Sequence, residues 1–547
     1  MAPDAAPQST PVTTPHRWWA LAAVALGVSL IIMDATIVNV ALPVVIQDIG
    51  LTATQAEWMN AVYSLMFAAL LLTSGRAGDL WGRRRMLLIG MAIFVAASVV
   101  AGSVDTGEAL IAARLVQGIG AALIMPATLS TVNAVFVGRE RAIAFAVWGS
   151  TIGGMAAVGP LVGGWLATDV TWRWAFWLNV PVGLVVIALA LWAVPETREA
   201  DARGGLDLRG AALSALGMGA IVFALIEGGQ YGWWLQDSGA ISPVPLALAG
   251  GLLVMAWFVR DQLAGRRAGR AVLVDLTLLR LRSFRYGSIA ALVVALGEFG
   301  LLFTLPLLLQ NAMGYTALGT GWLILFLAVG TFLVSGATPQ LTARLGARAV
   351  VRMGLAAEAI AVGGLAVTLS SDLPGAAIAA WLFLYGAGVG MATAQLTNVI
   401  LVDVPVAQSG QASGLQSTFR QVGSALGVAI LGTLLMVSLG RATDAQLTDA
   451  GLPSDVRAPV VEQVRGSAGV AIPALQADPA TEAEGDAAAE AMITASRITT
   501  GVAAGVILLG LAATLALPAP APASSRRDDE DGAEGESEGA GTRDGEA

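Results

Sequence analysis

Gly75-Arg-Ala-Gly78-Asp79-Leu-Trp-Gly82-Arg83-Arg84-Arg85 joins two apolar runs, roughly residues 55–74 and 86–104. Each run is long enough to cross a bilayer, which takes about 20 mostly apolar residues in a helix. The link between them is short, punctuated by glycine and rich in arginine, which marks a tight turn at a membrane surface. Moving outward from it, further runs of spanning length fall at roughly 18–46, 109–132, 142–166, 174–194, 208–227, 244–260, 286–310, 318–340, 348–369, 374–402, 410–438 and 496–518. Fourteen crossings put both termini on the same side.

Arginine indicates which side. Arg139 and Arg141, then Arg198, Arg203 and Arg209, then the cluster from Arg260 to Arg285, then Arg344, Arg348 and Arg352 all share a face with the 75–85 turn. The short links near 47–57, 105–108, 228–243, 311–317 and 370–373 contain no basic residue. Cytoplasmic loops collect Lys and Arg, so the expectation is a multi-pass protein of the cell (cytoplasmic) membrane with both termini cytoplasmic. Arg173 is the one basic residue on a short link of the opposite face; near a helix end, it is expected to snorkel.

Composition agrees. Hydrophobic residues make up 56% of the chain and charged residues 13%, far from the averages of soluble domains. The 65 glycines suit close helix packing in lipid. There is no cysteine, so no disulfide and no thiolate chemistry, and the single histidine, His16, lies in the N-terminal tail; no catalytic constellation stands out, and neither an enzyme nor a metal site is expected. The absence of lysine, with glycine-rich runs lying inside apolar spans, excludes a nucleotide-binding loop and ATP. The net charge of −9 is unevenly spread: segments 441–495 and 519–547 each hold nine acidic and three basic residues, leaving the rest net positive. That remainder suits an anionic lipid leaflet, with no nucleic acid implied.

The spacing also shows a repeat. Trp58 precedes Gly82 by 24 residues, and Trp322 precedes Gly346 by 24; Pro43 and Pro306 lie upstream, and Gly118-x-Gly120 has a counterpart in Gly386-x-Gly388. Repeated halves that rock about a midplane site are a transporter architecture. The expected domains are a tail at 1–17, a six-helix bundle at 18–194, two extra helices and a basic linker at 195–285, and a second six-helix bundle at 286–518. An outer insertion occupies 441–495, and an acidic, disordered cytoplasmic tail 519–547.

Five segments resemble the 14-helix drug:proton antiporter branch of the major facilitator superfamily. They are Met33-Asp34-Ala-Thr36-Ile-Val-Asn39-Val-Ala-Leu-Pro43, the 75–85 turn, Arg114-Leu-Val-Gln117-Gly118-Ile-Gly120, the tract Gly149, Gly153, Gly154, Gly159-Pro160-Leu-Val-Gly163-Gly164, and Trp172-Arg173-Trp174-Ala-Phe-Trp-Leu-Asn179-Val-Pro181-Val-Gly183. The resemblance implies an all-α integral membrane fold of two six-helix pseudo-repeat bundles plus two inserted central helices. It also implies proton-coupled export of organic small molecules such as drugs, antibiotics or dyes, with no cofactor beyond the proton gradient. A same-fold importer or facilitator, or a transporter-like sensor, stays open, and a monomer is expected.

Site residues follow. A carboxyl group at mid-membrane costs about 2.5–3.5 kcal/mol on insertion scales, so Asp34 is either a structural carboxylate tied to a neighbour or a proton carrier. The resemblance favours proton coupling, with Arg114 as counter-charge; the alternative for Arg114 is a helix-bridging role. Gly75, Asp79, Gly82, Arg83 and Glu140 are implied gating residues: Asp79 capping the helix that begins near Ser409–Ser413, and Arg83 pairing with Glu140. The alternative is a purely topological basic cluster. Gly149, Gly153, Gly159, Pro160, Gly163 and Gly164 form the implied antiporter motif, acting sterically. Asn39, Glu298, Gln310, Gln395, Arg420 and Gln421 are substrate-cavity candidates, each equally able to serve helix packing. Glu298 and Glu358 also stand open as a second proton site.

Overall fold

A computed structural model describes residues 15–136, 138–198, 205–235, 240–270, 272–404 and 409–516. The expected tails therefore lie largely outside the described residues. The chain is helical nearly throughout. The first half comprises α1 (Arg17–Ile49), α2 (Ala53–Trp81), α3 (Arg83–Ala101), α4 (Gly107–Val135), α5 (Gly138–Trp165), and α6 (Trp174–Trp177) with α7 (Asn179–Ala193), which together make one span. Two inserted helices follow, α8 (Leu208–Tyr231) and α9 (Pro243–Arg267). The second half is α10 (Arg282–Asn311), α11 (Ala317–Leu345), α12 (Ala347–Thr368), α13 (Gly375–Leu401) and α14 (Ser409–Asp449), then the short α15 (Ser454–Gly466) and α16 (Ile472–Ala477), then α17 (Glu482–Leu515). Among the described residues, 13 helices are long and apolar enough to cross a membrane. The 28-residue α5, which includes incompletely described positions, stands where the remaining span is expected.

The two halves are built by the same local rules. Thr52 caps α2 by accepting from the Gln55 amide at 3.2 Å, and Thr316 caps α11 by accepting from Gly319 at 3.0 Å. Each such cap satisfies an otherwise orphaned helix N–H and contributes about 1 kcal/mol. Both helices end at a glycine with positive φ, Gly82 at 112° and Gly346 at 81°, a conformation that a Cβ disfavours. The separation of Thr52 from Thr316 equals that of Trp58 from Trp322 and of Gly82 from Gly346. Close packing repeats as well. A Cβ at Gly120 would lie 2.9 Å from the Gly90 carbonyl oxygen, and one at Gly388 would lie 2.6 Å from that of Gly354. The pairs α3–α4 and α12–α13 are thus drawn together at matching glycines.

α5 packs on α11 and α2 on α14, so the halves meet along two antiparallel seams. The first seam is tight at the arginine-poor ends. A Cβ at Gly164 would lie 2.5 Å from the Ala317 carbonyl oxygen, Gly321 abuts the Pro160 carbonyl, and the Leu318 amide donates to Thr168 at 3.0 Å. Nearer the arginine-rich ends, nothing described lies within 4 Å of a Cβ built at Gly154 or Gly336. The described contacts therefore close the arginine-poor face. On the opposite face Arg17 at the start of α1 pairs with Glu140 in α5 at 2.9 Å.

α8 sits across the second seam, packing on both α2 and α14, while α9 packs on α8 and turns Leu246, Leu253 and Trp257 outward. The expected insertion at 441–495 is shorter than its sequence boundaries. α14 runs on to Asp449 and α17 begins at Glu482, because Ala-rich polar stretches keep helical propensity after the hydropathy has fallen. Between them α15 and α16 form a cap, burying Val464, Ala468, Ile472 and Leu475 against the bundle; Asn311 of α10 donates to the Ala468 carbonyl at 3.3 Å.

Candidate functional site

Asp34 lies in the middle of α1, fully buried inside the first six-helix bundle. α1, buried along most of its length, packs against α4, α5 and α7. Arg114 of α4, 1% exposed, donates one guanidinium nitrogen to Asp34 Oδ2. The side-chain amides of Gln117 and Asn179 both donate to Oδ1, at 3.2 and 2.9 Å. Ser98 of α3 accepts from both of those amides, at 2.8 and 3.2 Å. Arg114 has further partners in Gln117 Oε1 at 2.9 Å and the Met59 carbonyl at 3.4 Å, and its guanidinium lies 4.2 Å from the Tyr63 ring centre. Three donors on one carboxyl suit its ionised form, since charge-assisted bonds are the strong ones. Breaking such a buried pair leaves an uncompensated charge and costs about 3–5 kcal/mol.

Asp34 and Arg114 are thus brought together. Gln117, Asn179, Ser98 and Tyr63 complete the knot; Gln117 and Asn179 lie within quoted motifs, but the sequence carries no sign that either reaches Asp34. The acid points neither to lipid nor to a solvated rim. It is enclosed by its own bundle.

The second half places its polar residues differently. Glu298 of α10 stands at the repeat position of Asp34, by the same separation as the capping threonines. Its partner is Arg420 of α14 at 3.4 Å, with an arginine side chain 40% exposed. Glu358 of α12 is fully buried, and neither carboxyl oxygen has a hydrogen-bond partner among the described residues; the Tyr385 hydroxyl of α13 is likewise buried without one. Gln395 is buried and accepts from Asn398 at 3.2 Å. Asn39 is buried on α1, and Gln421 is half-buried beside Arg420. Gln310 bonds another helix, the alternative to a cavity role: its amide donates to the Val40 carbonyl of α1 at 3.0 Å, tying the halves together at the arginine-poor face.

The gating expectations need one correction. Arg83 does not pair with Glu140. It folds back on Asp79 at 3.1 Å, one helical turn away across the α2–α3 junction, and reaches the Ser130 carbonyl of α4 at 3.4 Å, while Glu140 is taken by Arg17. Gly75 rests against Pro126 of α4. The Glu196 carboxylate occupies the space a Cβ at Gly82 would need and accepts from the Arg84 amide at 3.2 Å, a staple absent from the sequence reading. The proposed Asp79 cap falls on the chain entering α14, of which 405–408 lie outside the described residues.

Gly159 and Gly163 press α5 onto Thr36 and Ile37 of α1, and Gly164 and Pro160 press it onto α11. The surroundings of Gly149 and Gly153 lie outside the described residues. Arg173 bonds Asp48 at 2.7 Å and Asp105 at 2.5 Å and stacks over Trp172, and those carboxylates hold its guanidinium more firmly protonated than usual.

Comparison with known proteins accords with this geometry. The family model described as Major Facilitator Superfamily matches residues 24–207 and 205–428. The chain is 33% identical to the multidrug efflux pump LfrA of Mycolicibacterium smegmatis, over 85% of this chain and 90% of that one. It is 35% identical to a puromycin resistance protein of Streptomyces alboniger, over 80% and 84%. Among solved structures, a bacterial homologue of the human lysosomal transporter Spinster, captured inward-facing, shares the fold with a TM-score of 0.60 at 17% identity, covering 93% of this chain and all of that one. The chain belongs to the major facilitator superfamily, as a membrane transporter of the branch that holds those efflux proteins.

Proposed function

We propose that this transporter exports organic small molecules across the cytoplasmic membrane in exchange for protons, with its arginine-rich face and both termini in the cytoplasm. The observation that carries the reading is Asp34: a carboxyl group sealed within the first bundle, held by one guanidinium and two amides. Protonation of Asp34 would cancel its attraction for Arg114, which keeps Gln117, the Met59 carbonyl and the Tyr63 ring as alternative partners. The acid can then change charge without leaving the arginine stranded, and a bundle shift that favours one charge state couples protonation to access.

The efflux names of the relatives support drug-like or antibiotic-like cargo. Asn39, Glu298, Gln395, Arg420 and Gln421 are the residues we assign to its cavity, with Glu298 as the acidic contact for an amphipathic cation. No ATP, metal or organic cofactor enters this scheme. Each proton moved down 100 mV supplies about 2.3 kcal/mol.

The test is transport by purified protein in sealed vesicles with an imposed pH gradient, using an ethidium-like dye as cargo. Dye movement opposite to the proton flow is expected. Movement in the same direction would make the protein a symporter, and no flux with intact dye binding would make it a sensor; either overturns export.

A further inference from the structure

Another buried carboxyl group, absent from the scheme above, lies where three parts of the molecule meet. Glu57 is in the first turns of α2, near the arginine-poor face, and is 2% exposed. It faces α14, where a Cβ at Gly432 would lie 2.9 Å from its carboxyl carbon, so the carboxyl sits in the space that a side chain at residue 432 would claim. The next residue, Thr433, places its hydroxyl 3.1 Å from Glu57 Oε2 and 3.0 Å from the Leu225 carbonyl oxygen of α8. A threonine hydroxyl has one proton to donate. One proton shared between two acceptors would make two weak bonds; both are full two-centre hydrogen bonds when Glu57 carries a proton and donates to Thr433, which in turn donates to Leu225.

The surrounding charges agree with that count. α8 presents Glu227, which accepts from the indole N–H of Trp58 at 2.8 Å and so brings a like charge towards Glu57. At this level α14 presents Gly432 and Thr433. On α4, Arg114 is committed to Asp34, Gln117 and the Met59 carbonyl, and Glu108 accepts from Gln55. Asp48 of α1 and Asp105 after α3 are held by Arg173. On α15, which touches α2, Arg457 pairs with Asp444 and Arg465 with Glu462. None of these described contacts brings a cation to Glu57. An ionised Glu57 would be a buried charge with one neutral donor and a carboxylate neighbour, which is strongly unfavourable.

Resting on the export reading, we propose that Glu57 is a second proton-binding site, a latch that holds the extracellular gate shut while its carboxyl is protonated. With the α2–α14 seam open, external water reaches Glu57 and protonates it when the outside is acidic. The neutral carboxyl then closes onto Thr433 and joins the first half, the second half and the inserted helix α8. Loss of the proton to the outside leaves a carboxylate at Glu57 that Glu227 repels, and favours opening. No proton crosses the membrane on Glu57. External acid acts through it to return the carrier to the state open to the cytoplasm, while Asp34 carries the exchanged proton.

The chain has no cysteine, so a single one can report the gate. Ser424 of α14 lies deeper in the same seam, its hydroxyl oxygen 3.2 Å from that of Ser64 on α2. With Ser424→Cys in right-side-out vesicles, labelling by a membrane-impermeant maleimide, taken at each pH relative to a free thiol under the same conditions because the thiolate fraction itself rises with pH, is expected to rise several-fold as external pH is raised. Added to that background, Glu57→Gln should hold labelling low at every pH, Glu57→Asp should keep the pH dependence with a moved midpoint, and Asp34→Asn should leave it in place. Labelling that tracks pH in Glu57→Gln as in the parent, or a parent insensitive to pH, overturns the latch. Dye export measured in the same vesicles is a separate readout: its absence from the parent would sink the export reading without touching the labelling result. Monodisperse elution in detergent checks that each variant is folded.

Discussion

In the first half Asp34 accepts from three side chains on two other helices, whereas at the matching position of the second half Glu298 meets one half-exposed arginine. Two helices further on, Glu358 has no partner for either oxygen among the described residues. The backbones around them correspond closely, with the same caps, positive-φ glycines and glycine-tight helix pairs. What differs is a few side chains. By the separation of Gly118 from Gly386, Arg114 corresponds to Leu382 and Gln117 to Tyr385. A duplicated scaffold has therefore kept its packing rules while only one copy holds a satisfied charge knot. In a bundle the glycines decide how close the helices lie, and the polar residues decide what the interior can bind.

The contrast can be broken most severely at Arg114. Arg114→Leu, which gives the first half the residue of the second, strands a buried carboxylate. It should lower stability by about 3–5 kcal/mol, read as a fall in melting temperature in detergent, and abolish gradient-driven export. Glu358→Leu should do the reverse, raising stability by about 1–3 kcal/mol because it removes two unsatisfied buried oxygens. A lower melting temperature in that variant would mean Glu358 has a partner that the geometry does not show. Thr52→Ala and Thr316→Ala sharpen the likeness between the halves: each removes a helix cap and should cost about 1 kcal/mol, with similar values for the two. Arg420→Gln should change stability by less than about 1 kcal/mol, since its partner is reached across a partly exposed gap, and should show instead as an altered range of exported cations.

Much of this was legible in the chain. Span positions and the repeat follow from hydropathy and spacing, and the Asp34–Arg114 pairing is what the resemblance of the two motifs implies. The rest depended on side-chain direction. Arg83 takes Asp79 because the turn at Gly82 leaves the two one helical turn apart, which no spacing rule separates from a reach to Glu140. Glu57 reads as an ordinary residue beside an interfacial tryptophan until Thr433, remote in sequence, is seen across the seam. The ends of α14 and α17 were obscured because helices that leave the membrane keep their winding after losing their apolar character.

The most direct test of the central claim compares the parent with Asp34→Asn in vesicles, for two kinds of transport: gradient-driven dye export, and exchange of dye for dye with no pH difference. The expected result is that Asp34→Asn loses the first and retains the second, because the cavity and the rocking motion survive while the proton has nowhere to bind. Gradient-driven export at the parent's rate by Asp34→Asn would contradict the assignment of coupling to that carboxyl.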